Sequence, residues 1–127
     1  MQEQHLYEYA VIRVVPKVER EEFLNVGLIL FCKRAKSVRV KFEINEAKLL
    51  LLAPEIDITQ IRLNLDSFVK IGSGLKIGGP IAQFEVPERF RWLTAVRSSM
   101  IQTSRPHPGM SENLDAAFER IFNEMVL

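Results

Sequence analysis

Apolar and polar positions divide the chain into three stretches with different periods. From Tyr7 to Val15 aromatic and β-branched residues dominate, as in a strand, and Pro16 ends the run by removing an amide donor. Tyr9, Val11, Arg13 and Val15 share one face, and Ala10, Ile12 and Val14 the other. Both faces are largely apolar, which predicts a central strand with Arg13 as the exception. A charged connection, Lys17 to Glu22, leads to an apolar run from Phe23 to Cys32 that only Asn25 and Gly27 interrupt. On a regular strand those two share the face of Phe23, Ile29 and Phe31. A glycine inside a strand commonly marks a bulge or the close approach of another backbone. Lys33 to Lys36 is short enough for a hairpin. From Ser37 to Glu43, Val38, Val40 and Phe42 point inward while Arg39 and Lys41 point outward, the pattern of a half-exposed antiparallel strand.

The middle stretch changes to a helical period. Asn45 can cap a short helix over Glu46 to Leu52 that stops before Pro54, and Asp57 can cap a second in which Ile58, Ile61, Leu65, Phe68 and Val69 form one stripe. Ile61, Leu63 and Leu65 also alternate with period two, which would suit a short strand; the helix is favoured. Gly72 to Pro80 reads as a break in regular structure. The last stretch opens with a helix near Val86, where Pro87 suits the first turn. There Phe90, Leu93 and Arg97 stack on one side and Trp92 and Val96 flank them. Ser99 to Ser104 predicts a strand, and Arg105 to Gly109, with two prolines, a rigid turn. Ser111 can cap a terminal helix with Leu114, Phe118, Ile121, Phe122 and Met125 on its core face. The fold class expected is α+β: one domain over residues 1–127, an antiparallel sheet of about four strands with helices packed on one face.

Composition narrows the function classes. The chain has 127 residues, which suits one domain, and its 17 Lys+Arg against 16 Asp+Glu argue against a general nucleic-acid coat protein. One cysteine, Cys32, excludes an internal disulfide, and two histidines make a Cys/His zinc site implausible. Apolar runs fall far short of the ~20 residues a membrane span needs. The first residues lack the basic and apolar regions of a secretory signal. A soluble cytoplasmic protein without cofactor or metal is the reading that follows.

Polar residues on apolar faces are the candidates for chemistry. Arg13 interrupts a strand face, Arg97 shares the stripe of Phe90 and Leu93, and Arg89 and Arg91 lie on the same helix. A guanidinium near a core needs a carboxylate or awaits an anionic ligand; Glu22 and Asp115 are the internal carboxylates on offer. The segment Gln102 to Gly109 leads into a helix, where Thr103, Ser104, Arg105 and His107 could add donors for an anion; its plainer reading is a stiff connection. A triad of Ser98 or Ser104 with His107 and Asp115 has no nucleophile elbow to support it. The glycines around Lys76 are in the wrong order for a phosphate loop. Lys33, Arg34, Lys36, Arg39 and Lys41 place five cations in nine residues, either protecting a sheet edge or offering a basic strip to phosphate or an acidic protein.

Taken in order, Tyr9-Ala-Val-Ile-Arg-Val-Val-Pro16, Glu22-Phe-Leu-Asn-Val-Gly27, Arg89-Phe-Arg-Trp-Leu93 with Arg97-Ser98, Ile101-Gln-Thr-Ser104 and the stretch from Gly109 to Leu127 resemble a bacterial family, domain of unknown function three-thousand-and-thirty-seven. The resemblance brings no reaction, cofactor or catalytic residue. It implies small stand-alone proteins often encoded beside a HipA-like kinase, hence a binding partner or accessory subunit of such a kinase. The ligand- or partner-binding candidates are Arg13, Glu22, Asn25, Arg89, Arg91, Arg97, Gln102, Ser104 and His107. The favoured function is a non-enzymatic interaction module, with a homo-oligomer left open. A small anion- or phosphate-ligand enzyme built on Arg97, Gln102, Ser104 and His107 comes second, and a nucleic-acid accessory protein using the basic strip third. An interaction module should expose apolar surface beside the arginines; an enzyme should gather them in a concave pocket without internal carboxylate partners.

Overall fold

The computed structural model describes residues 3–74, 76–95 and 100–127. In chain order it has β1 (His5–Val14), β2 (Leu24–Cys32), β3 (Ser37–Phe42), α1 (Glu46–Leu52), α2 (Ile58–Ser73), α3 (Val86–Leu93), β4 (Ile101–Thr103), β5 (His107–Ser111) and α4 (Leu114–Met125). The strands form one antiparallel sheet in the order β3-β2-β1-β4, with β5 also paired to β1. The α+β class and the central position of β1 agree with the sequence. The sheet has five strands, one more than expected.

The fifth strand lies where a rigid turn was expected. His107 to Ser111 pairs with Tyr9 back to His5, and Pro108 stands opposite Glu8. A proline is tolerated there because β5 is outermost, and an edge strand turns alternate amides away from its neighbour. β4 and β5 thus share one edge of β1, broken only between Thr103 and His107. β4 falls inside the expected Ser99 to Ser104; Ser99 itself, like Val96, Arg97 and Ser98, lies outside the described residues.

A bulge in β2 overturns the predicted face of Asn25. Ile12 is opposite Gly27 but Arg13 is opposite Asn25, so Val26 is an extra residue on β2. Beyond a bulge the alternation of side chains is inverted. Ile29 and Phe31 therefore join Val26 on one face, while Phe23 and Asn25 turn to the other with Arg13. Gly27 is the close approach the sequence suggested: a Cβ there would lie 2.8 Å from the Lys41 carbonyl oxygen and 3.1 Å from Phe42 Cβ.

Both faces of the sheet are covered, which corrects the expectation of helices on one face. Ile12, Val14, Ile29 and Phe31 pack against Leu49 of α1, Ile61, Leu65 and Phe68 of α2, and Phe90 and Leu93 of α3. Tyr7, Val11, Leu28, Leu30 and Cys32 pack against Leu114, Ala117, Phe118, Ile121 and Phe122 of α4. Successive strand residues face opposite ways, so α4 lies across the sheet from the other helices. A strand apolar on both faces needs two layers to bury it, and each fully buried Leu, Ile or Phe stabilises by about 1.5–3 kcal/mol.

Local signals set the helix ends. Asn45 accepts from the Lys48 amide and Asp57 from the Gln60 amide, as read from the sequence. α2 is helical through the competing Ile61 to Leu65 segment and continues over Gly72, expected to break it. Gly72 instead lets α2 approach β3, since a Cβ there would lie 2.5 Å from Val40 Cγ2. At α4 the cap is Asn113, which accepts from Ala116; Ser111, the expected cap, hydrogen-bonds Asn113 and orients it. Met125, expected on the core face, is exposed.

Gly27→Ala should lower unfolding stability by about 1–3 kcal/mol, because the added methyl meets backbone that cannot rotate away. Urea unfolding of both proteins measures it, and an unchanged midpoint would show that the strands separate freely at the bulge.

Candidate functional site

The bulge and the pairing of β1 put three predicted residues in one row. Asn25 of β2, Arg13 of β1 and Gln102 of β4 are cross-strand neighbours on the α4 face of the sheet. Phe23, just before β2, lies under the guanidinium: Arg13 Cζ is 4.1 Å from its ring centroid, and the ring is 46% exposed. This is cation–π geometry. Asn25 Nδ2 donates to the Met125 carbonyl oxygen at 3.0 Å, one of the carbonyls that the C-terminus of a helix leaves without an intrahelical donor. That acceptor fixes the amide's orientation, and Asn25 Oδ1 is then buried without a donor.

Arg13 has no counter-charge among the described residues. Its Nε is buried without an acceptor, and no carboxylate among the described residues forms an ion pair with it. The two carboxylates the sequence offered are engaged elsewhere: Glu22 pairs with Arg20, and Asp115 with Arg39. A half-buried guanidinium normally has an acid or a set of carbonyls to offset its desolvation. Here it has an aromatic face and two side-chain amides beside it.

Other candidates serve the fold. Ser104 is buried and bridges the gap between β4 and β5: its amide donates to the Val11 carbonyl at 2.8 Å, and its Oγ accepts from the Val11 amide at 2.9 Å. The hydroxyl thus replaces the backbone acceptor that the irregular strand cannot supply. Arg89 Nη1 donates to the carbonyls of Ile71 and Gly72 at 3.2 and 3.1 Å, closing the C-terminus of α2 with a cation where the helix dipole favours one. Arg91 is exposed on α3, and His107 opens β5 with its ring 5.3 Å from that of Tyr9. Arg97 lies outside the described residues.

A concavity lies elsewhere. An open cleft of about 700 Å³ runs between Pro16, Glu22 and Met100 and the α1–α2 connection at Leu51 to Ile56. Its flank at the end of α1 and the connection to α2 puts it on the face opposite α4. Among the described residues its cations are Lys17 and Arg20, and Arg13, Arg89 and Arg91 do not line it. Sequence reasoning missed this cleft, since its walls come from three loops, and it missed Phe23, whose face depends on the bulge. The basic hairpin is also less free than its composition suggested. Arg39 and Lys41 reach α4, where they pair with Asp115 and Glu119, and Lys41 Nζ lies 4.5 Å from the Phe122 ring centroid. Arg34 pairs with Glu3. Three of the five cations are thereby neutralised within the chain.

A family model described as Protein of unknown function (DUF3037) matches residues 9–126. The chain belongs to this family. The DUF3037 match takes in Arg13, Asn25, Gln102, Phe23 and Met125, the whole of the row and its surroundings. No curated protein and no solved structure matches the chain. Among the described residues of this DUF3037 chain no helix is long and apolar enough to cross a membrane, and no three His, Cys, Asp or Glu side chains are grouped to hold a metal ion.

The two kinds of polar residue should separate on unfolding. Ser104→Ala leaves the buried Val11 amide without an acceptor and should cost about 1–3 kcal/mol, with faster hydrogen exchange at Val11. Arg13→Gln should change stability by less than about 1 kcal/mol, since it removes only a half-exposed cation–π contact. The reverse ranking by thermal denaturation would make Arg13 structural.

Proposed function

We propose that this protein is a non-catalytic binding module that docks another protein on the α4 face of its sheet, at Arg13, Asn25, Gln102 and Phe23. The observation that carries this reading is the half-buried Arg13, with no counter-charge among the described residues, stacked on an exposed Phe23. Interface centres favour this combination, an arginine and an aromatic ring that lose water together. Apolar surface continues past the row to Met125 and Leu127, both exposed. The alternative anion-binding enzyme is less well supported, because Ser104 is spent on the strand ladder and Arg13, Arg89 and Arg91 do not line the cleft. The nucleic-acid reading is less well supported because ion pairs tie down Arg34, Arg39 and Lys41 of the hairpin.

The partner is a second part of the proposal. The family resemblance favours a bacterial HipA-like kinase in the cytoplasm, and that protein is the first to test. Co-expression with a HipA-like kinase from the same host, followed by size-exclusion chromatography with light scattering, should give a stoichiometric complex. Phe23→Asp should abolish it while leaving the melting temperature of the free module within about 2–4 °C, as a change of under 1 kcal/mol would. Separate elution of the wild-type proteins would remove the kinase as partner, and a complex that survives Phe23→Asp would move the docking surface elsewhere. Self-association of the module alone would identify a second copy as the occupant.

A further inference from the structure

We propose that Arg13 receives a carboxylate side chain, Asp or Glu, from the docked protein, held as a two-point ion pair with the guanidinium stacked on Phe23. This rests on the binding-module reading and names the chemistry its surface selects. The guanidinium is a planar fork with five N–H donors, and it cannot shed its charge. Its buried Nε has no acceptor among the described residues. Phe23 covers one face, with the ring centroid 4.1 Å from Cζ, so the edge of the fork is the part left to a ligand. A planar acceptor with two oxygens fits that edge, and a carboxylate adds the missing charge.

Three observations narrow the source. β1 is paired on both edges at Arg13, with Asn25 on one side and Gln102 on the other. Among the described residues β1 therefore offers no free backbone amides at Arg13 of the kind that hold a chain terminus. Among the described residues Arg13 is the one cation in its row, flanked across the strands by Asn25 and Gln102, so a single negative charge balances it and a phosphate dianion would be left over. Phe23 is 46% exposed, which favours an acidic residue with an apolar neighbour that can cover the ring.

The test uses capped dipeptides and the full chain. N-acetyl-Phe-Glu-amide, N-acetyl-Phe-Gln-amide and N-acetyl-Phe-Gln with a free terminal carboxylate are titrated separately while the Arg13 Nε–Hε resonance is followed by NMR. The Glu peptide should move that resonance to saturation, and the Gln amide should bind at least about tenfold more weakly, the loss expected for a charged two-point contact. Arg13→Lys keeps the charge and loses the fork, so the Asn25 side-chain amide resonances, which neighbour the site in both proteins and are followed in parallel, should respond to the Glu peptide in the wild type and lose that response in the variant, while its backbone spectrum stays native. Equal binding of the Glu and Gln amides overturns the proposal, as does full binding by Arg13→Lys. Tighter binding of the free-terminus peptide than of the Glu peptide overturns the side-chain source. A kinase complex broken by Phe23→Asp but untouched by Arg13→Lys keeps the module and removes this inference.

Discussion

Everything in this fold is arranged on β1, which is hydrogen-bonded along both edges and buried on both faces. Ile12 and Val14 meet α1, α2 and α3 through the first core, and Tyr7, Tyr9 and Val11 meet α4 through the second. β2 occupies one edge; β4 and β5 divide the other. A strand enclosed this way has no side left for a polar residue unless the covering layer stops short. α4 stops at Met125, beside Asn25 and one strand from Arg13. The polar row lies where that second layer ends, which is why a charged residue in the most enclosed strand can remain within reach of solvent.

The bulge at Val26 gives the row its composition. Without it, Phe23 and Asn25 would face α1 and α2, and Arg13 would have neither an aromatic ring beneath it nor an amide at its side. Gly27 makes the irregularity tolerable by letting β3 come close to β2 where the extra residue distorts the ladder. One inserted residue and one missing side chain thus convert a stretch of ordinary sheet into a surface with a defined chemical preference.

What was legible in the sequence is what local chemistry determines. Asn45 and Asp57 cap their helices because a short acceptor side chain before an apolar-periodic run reaches amides only three residues away. β1 to β3 follow from alternation and a short hairpin, and Arg13 stood out as one cation on an apolar strand face. The rest depends on residues far apart in the chain. Ser104 was legible as a polar candidate, but its role needs Val11, 93 positions away, and Arg39 meets Asp115 across 76. β5 was hidden by its prolines, which forbid a central strand but not an outermost one. The two-sided sheet was hidden in β3, where Arg39 and Lys41 look solvent-facing until α4 supplies acids for them.

The shared edge of β1 also bears on how the chain is made. A ribosome releases β1, β2 and β3 long before β4, β5 and α4, so the N-terminal strands emerge with one edge unpaired and one apolar face uncovered. Contacts of such long sequence separation form slowly, and the waiting segments are prone to associate with other chains. The last quarter of the sequence therefore acts as a clasp. Until it closes, the nascent protein presents a strand edge at β1 and the bare surface of Val11, Leu28 and Leu30 to whatever chaperone or neighbour reaches it first.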